Sequence, residues 1–232
     1  MSKIGIIGAM DLEVDALKAQ MNKEKEITRA GMTFCEGTLN SAPVVIVKCG
    51  IGKVNAGMCV QILADLFDVT HVINTGVAGS LNADLDIGDI LISTDAVYHD
   101  FDATIFGYAP GQVPGTSAAE FVADSQMVQL AIASCQAVCP DITCRSGRVV
   151  TGDQFVSSKE VKERLINVFG GFCTEMEGCA IAHAATLNNL PFVIIRAISD
   201  KADDSAEMDY PTFERAAAKH SAALVADLVQ KL

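Results

Sequence analysis

The chain has 232 residues and a formal net charge of −12 at pH 7; half of its residues are hydrophobic and a fifth are charged. That length fits one α/β domain spanning 1–232, and the composition suits a packed core rather than a disordered chain. The acidity repels phosphate backbones and anionic lipids, which excludes nucleic acid and membrane surfaces as partners; its ordinary meaning is solubility.

In chain order, strand and helix signals alternate. Ile4-Gly5-Ile6-Ile7-Gly8 reads as a buried strand with no basic-apolar leader before it. Val14, Leu17 and Met21 then recur at helical spacing. Thr33 to Leu39 and Val44 to Lys48 read as strands joined by the turn residues Asn40-Ser41-Ala42-Pro43. Gly50-Ile51-Gly52 breaks the chain before a helix through Ala56, Val60, Leu63 and Leu66. Val72 to Asn74 is a strand running into Gly76-Val77-Ala78-Gly79, and Ile90 to Tyr98 is another. The Gly/Pro-rich stretch from His99 to Ala118 is long enough to suggest function or an interface. Asp124 to Val138 predicts a helix and Cys144 to Thr151 a strand. Ser157-Ser158-Lys159-Glu160 predicts a helix start with a capping box. Thr174 to Leu187 reads as helix, Phe192 to Ile198 as a buried strand, and Tyr210 to Leu232 as a long amphipathic helix.

The all-apolar strands imply an α/β fold with a largely buried central sheet. The core is expected to be aliphatic, because Trp is absent and aromatics make up 6%. Among the eight cysteines, Cys59, Cys135 and Cys179 lie in apolar helical patterns and Cys49 ends a strand. They read as small hydrophobes. No C-x-x-C pair or zinc spacing is present, so neither disulfides nor a metal is expected, and a reducing cytoplasm is the expected setting.

In such folds ligands bind where strands end. After the first strand, Glu13 falls in the first turn of a helix, where acids are favoured by the dipole alone. Gly50-Ile51-Gly52-Lys53 lacks the spacing of a nucleotide-triphosphate loop. Thr174 and Glu177 fit a helix cap, leaving Glu175 as a surface acid or the partner of a base. An ionised Glu177 could equally accept from two sugar hydroxyls. Arg196 and Asp200, on the most hydrophobic strand, read as a buried ion pair. Taken singly, each feature has a structural explanation.

Together they do not. G-I-I-G-A-M…E, C-G-I-G-K-V-N-A, N-T-G-x-A-G, G-D-x-F, E-M-E-x-x-A-I-A and R-A-I-S-D occur in this order. Over essentially the whole chain the sequence resembles the 5′-methylthioadenosine/S-adenosylhomocysteine nucleosidases of the purine nucleoside phosphorylase superfamily. The resemblance implies a three-layer α/β/α fold with a central mixed sheet, a homodimer, and attack of water on C1′ of the ribose without metal or organic cofactor. It implies that Glu13 and Arg196 hold the attacking water, that Glu177 and the Met176 backbone bind the ribose hydroxyls, and that Asp200 faces N7 of adenine as general acid. Phe155 would stack on the base with the Val156 backbone at its edge. Met10, Ile51, Met176 and Tyr210 would line the alkylthio pocket, and Ala78, Gly79, Glu175 and Ser199 would complete the substrate site. Phe106 and Pro114 would reach into the partner's pocket.

The chemistry agrees with this reading. Cleavage of the C–N bond develops a cationic sugar and an anionic purine, which carboxyls on either side can stabilise and protonate. A phosphorylase would need cations where Glu13 stands, so hydrolysis is favoured over phosphorolysis. A non-catalytic nucleoside-binding domain is disfavoured because every acid of the mechanism is kept. The chain departs from the family pattern at Val77, Ser80, Gly178-Cys179 and Tyr210, which bears on the choice among 5′-substituted adenosines more than on the reaction.

Overall fold

A computed structural model of the chain describes residues 2–203 and 205–232, without the side chains of 207 and 208. The elements in order are β1 (Ile4–Gly8), α1 (Asp11–Gln20), β2 (Asn22–Arg29), β3 (Met32–Leu39), β4 (Ala42–Lys48), α2 (Lys53–Phe67), β5 (His71–Ser80) and β6 (Ile90–Tyr98). After a short 3-10 turn at Thr104–Phe106 come β7 (Phe121–Val122), α3 (Ser125–Val138), β8 (Cys144–Thr151), α4 (Lys159–Phe169), β9 (Cys173–Glu175), α5 (Gly178–Leu187), β10 (Phe192–Asp200) and α6 (Ala206–Leu228).

The strands form one mixed sheet in the order β10-β6-β8-β9-β5-β1-β4-β3-β2, and β10 also pairs with β5. Strands β5, β10, β6, β8 and β9 therefore close on themselves, and β1, β4, β3 and β2 extend the sheet outward. The central pairs β4–β1, β1–β5 and β5–β10 are parallel. Their strands are buried on both faces, as parallel strands covered by helices must be.

Side chains alternate between two cores, as the period of a strand requires. Ile4, Ile6, Ile73, Val193 and Ile195 pack with α1, α3 and α6 on one face. Ile7, Val72 and Ile194 pack with α2 and α5 on the other. The three-layer arrangement follows directly from this alternation. All eight cysteines are unpaired, and seven of them are buried.

Several local expectations need correction. Asn22–Arg29 is a strand that hydrophobic pattern could not reveal, since its polar residues are nearly all exposed on an edge. The turn before β4 is Asn40-Ser41, both with positive φ (49° and 70°), and Ala42 and Pro43 already belong to the strand. Ser158 caps α4 by accepting from the Val161 N–H, so no Ser157–Glu160 box forms. Thr174 is not a cap: it lies in β9 opposite Gly79, and α5 begins only at Gly178. Helix α6 starts at Ala206, four residues before Tyr210, and carries Pro211 inside it.

Candidate active site

The carboxyl ends of β1, β5, β9 and β10 converge on a cavity of about 320 Å³. That volume lies in the range of small-molecule sites. Glu13, Glu175, Glu177, Ser199 and Asp200 line it, as do Met10, Ile51, Met176 and Tyr210. So do Ala78, Gly79, Phe155 and Val156. Residues from seven segments of the sequence thus meet in one place.

Glu13 is 4% exposed. Its Oε2 accepts from the N–H groups of Ala9 (2.6 Å) and Met10 (3.0 Å), and its Oε1 accepts from the Val77 N–H (3.1 Å). It does occupy the first turn of α1, as the helix-dipole reading requires, but it also bridges to β5, which a simple cap would not do. A side chain on Gly76 would come within 2.5 Å of Glu13 Oε1 and 2.7 Å of Arg196 Nη1, so glycine here lets the two groups converge. Burial pushes the Glu13 carboxyl above its ordinary range, while Arg196 and the three backbone donors pull it back.

Arg196 stands behind the cavity wall rather than on it. Its partner is Glu175, not Asp200 as the shared strand suggested. Nη2 donates to Glu175 Oε2 and to Asn74 Oδ1, the latter at 2.5 Å. Burial works against the guanidinium charge, but Glu175, Glu13 and Glu177 outweigh it and hold the group above its ordinary pKa. Glu175, far from being a surface acid, also accepts from the Glu177 N–H (3.1 Å), the Gly178 N–H (2.7 Å) and the Thr151 hydroxyl. It therefore ties β8, β10 and the start of α5 together around one buried charge pair.

Glu177 precedes α5 and accepts from the Gly52 N–H at 2.8 Å. Burial, reinforced by the negative Glu175, pushes it up to about 8, with Arg196 and the Gly52 N–H acting against the rise. Asp200 is 3% exposed. Its Oδ1 accepts from the Ala202 N–H at 2.8 Å and its Oδ2 from the Ser199 hydroxyl at 2.9 Å. Burial raises its pKa, and these two donors oppose the shift. A register shift between Ile198 and Asp200 breaks the strict alternation of β10, which brings the adjacent Ser199 and Asp200 to the same cavity.

Phe155 and Tyr210 meet edge to face at the rim, ring centres 5.6 Å apart, and the Tyr210 hydroxyl donates to Met10 Sδ at 3.3 Å. Phe106, 79% exposed, and the exposed Pro114 lie in the Gly/Pro stretch and do not line this cavity. Sequence reading missed the Gly52 N–H, Asn74 and Thr151. The last two carried a faint signal as polar residues at the ends of apolar strands. Among the described residues no group of three or more His, Cys, Asp or Glu is disposed to hold a metal ion, and no helix is long and apolar enough to cross a membrane.

Residues 3–230 match the model of the phosphorylase superfamily. A 5′-methylthioadenosine/S-adenosylhomocysteine nucleosidase of Geobacillus sp. (strain WCH70) is 42% identical over 99% of both chains. The crystal structure of the Neisseria meningitidis 5′-methylthioadenosine/S-adenosylhomocysteine nucleosidase in complex with methylthio-immucillin-A superposes with a TM-score of 0.96 at 36% identity, covering 100% of each chain. That of the Colwellia psychrerythraea nucleosidase in complex with adenine has a TM-score of 0.96 at 39% identity, covering 100% of this chain and 96% of that one.

Proposed function

The chain belongs to the 5′-methylthioadenosine/S-adenosylhomocysteine nucleosidase family of the phosphorylase superfamily, and we propose that it hydrolyses the N-glycosidic bond of both nucleosides, releasing adenine and the 5-thio-substituted ribose. The observation that carries this reading is one cavity walled by four buried carboxyl groups, Glu13, Glu175, Glu177 and Asp200, with the buried Arg196 guanidinium behind them.

The steps follow from where charge develops. As C1′–N9 breaks, its electron pair moves into the purine, and Asp200 gives N7 a proton so that adenine leaves neutral. The raised pKa of Asp200 keeps more of the proton available near neutrality than an ordinary aspartate would. Water attacks C1′ and loses its proton to Glu13, whose upward shift makes it a stronger base than an ordinary glutamate. Arg196 Nη1, beside Glu13 Oε1 above Gly76, orients that water and offsets the carboxylates. Glu177 and the Met176 backbone bind the ribose hydroxyls, and the carboxyl oxygens facing the sugar favour its cationic character in the transition state. Phe155 stacks on the base, with the Val156 backbone at its edge. Met10, Ile51, Met176 and Tyr210 surround the 5′ substituent. No step calls for a metal or an organic cofactor.

A phosphate dianion in place of water would face Glu13 across a few ångströms, which disfavours phosphorolysis. The exposed Phe106 and Pro114 fit a homodimer in which this stretch closes the partner's cavity, and a reducing cytoplasm fits the eight free cysteines. The test is adenine release from 5′-methylthioadenosine with and without phosphate. Release in both is expected; release only with phosphate would make the protein a phosphorylase, and no release in either would leave a binding domain.

A further inference from the structure

Lys53 is oddly placed. It is the first residue of α2, whose first turn holds no acid, and a cation at a helix N-terminus is locally unfavourable. Its surroundings explain it. Nζ pairs with Asp100 Oδ2 at 2.5 Å and lies 3.7 Å from Asp153 Oδ2. It also sits 5.6 Å from the centre of the Tyr98 ring. The Lys53 N–H donates to Asp153 Oδ1 at 2.9 Å, and the Asp153 N–H donates to Asp100 Oδ2 at 2.9 Å. Burial acts on Asp100 in the opposite direction, but Lys53 and the Asp153 N–H outweigh it and hold the carboxyl below its ordinary range.

Three loops meet in this cluster. Residues 50–53 follow β4, residues 99–100 follow β6, and residues 152–154 follow β8. Each is one step from the proposed machinery. Gly52, directly before Lys53, gives its N–H to Glu177. Phe155 is two residues beyond Asp153. Asp100 opens the Gly/Pro stretch that carries Phe106 and Pro114. Two neighbouring N–H groups at one helix start are thus divided between two carboxylates, the Gly52 N–H to Glu177 and the Lys53 N–H to Asp153. None of Lys53, Asp100 and Asp153 lines the cavity.

We infer that Lys53, Asp100 and Asp153 form a clasp of positioning residues that holds the Gly52 N–H against Glu177 and fixes the loop bearing Phe155 relative to it. This inference rests on the nucleosidase reading above. If the clasp slackens, Glu177 loses its fixed donor and the base-stacking loop drifts from the ribose side. Misplacement on the order of 1 Å is enough to cost about 100-fold in rate.

The test uses Lys53→Met in the full-length protein, with adenine release from 5′-methylthioadenosine as readout. Expected are a melting temperature near that of the unaltered protein, a fall in kcat/KM of about 10- to 100-fold, and recovery of most of it in Lys53→Arg. Because the clasp acts through Glu177, Lys53→Met should cost much less when Glu177→Gln is already present. Additive losses in that double-mutant cycle, or unaltered turnover in Lys53→Met, would overturn the inference. Should Lys53→Met fail to fold, Asp100→Asn is carried through the same cycle with the same two outcomes. Absence of adenine release by the unaltered protein would instead count against the nucleosidase reading, which keeps the two failures apart.

Discussion

The deep wall and the rim of the cavity are built from different materials. On the deep wall Glu13, Glu175 and Glu177 are each less than a tenth exposed, and all three carboxyls accept backbone N–H groups. Arg196 locks this wall from behind. On the rim Ile51 and Phe155 are 54% and 47% exposed, and the Tyr210 hydroxyl lies between the Met10 thioether, a weak acceptor, and the Glu214 side chain. The wall is a preorganised set of charges that cannot relax without breaking several hydrogen bonds. The rim is a set of apolar surfaces that adapt to whatever leans on them. Such a division assigns bond breaking to the wall and substrate preference to the rim.

The largest way to break that comparison is to remove Asp200, the proposed proton donor. Asp200→Asn should lower kcat on 5′-methylthioadenosine by about 10²- to 10⁴-fold, with KM changed far less, as measured by steady-state adenine release. Near-normal turnover in this variant would remove Asp200 from the leaving-group role. On the rim, Phe155→Ala should act the other way round, raising KM by about 5- to 150-fold from lost stacking while kcat changes less.

A smaller effect tests the wall through stability. Glu177 is pushed up in the folded protein to about 8 from an ordinary 4.5. Its bound proton therefore stabilises the fold fully below the unfolded-chain value. That contribution is lost progressively as pH rises from about 4.5 to about 8, with no further loss above. Thermal melts should show the melting temperature falling across that window, and Glu177→Gln should flatten the slope. The smallest expected effect is at the rim again. Tyr210→Phe removes the hydroxyl that meets Met10 Sδ and Glu214, and should change the ratio of kcat/KM between S-adenosylhomocysteine and methylthioadenosine a few-fold without touching kcat.

The two regions also differ in how far sequence reveals them. The acids of the wall were legible because each follows an apolar strand, and because their motifs occur in one fixed order. Their bonding was not. Arg196 and Asp200 share a strand, yet Arg196 reaches Glu175, 21 residues earlier in the chain, because β9 is inserted between β8 and β5. Thr174 and Glu177 have the spacing of a capping box, yet the chain there is a strand with no cap, because pairing with Gly79 and Ser80 overrides the local preference. The bulge that brings Ser199 and Asp200 to one side leaves no compositional mark. The edge strand Asn22–Arg29 is invisible to hydrophobic pattern for a simpler reason: it buries almost nothing.

The division between wall and rim is tested most directly by single-turnover adenine release from saturating 5′-methylthioadenosine, comparing Glu13→Gln with Phe155→Ala. With substrate already bound, loss of Glu13, the proposed base on the wall, should slow release by about 100-fold or more, and loss of the rim aromatic by less than about 10-fold. Release by Glu13→Gln as fast as that of the unaltered protein, or a slower reaction in Phe155→Ala than in Glu13→Gln, would contradict it.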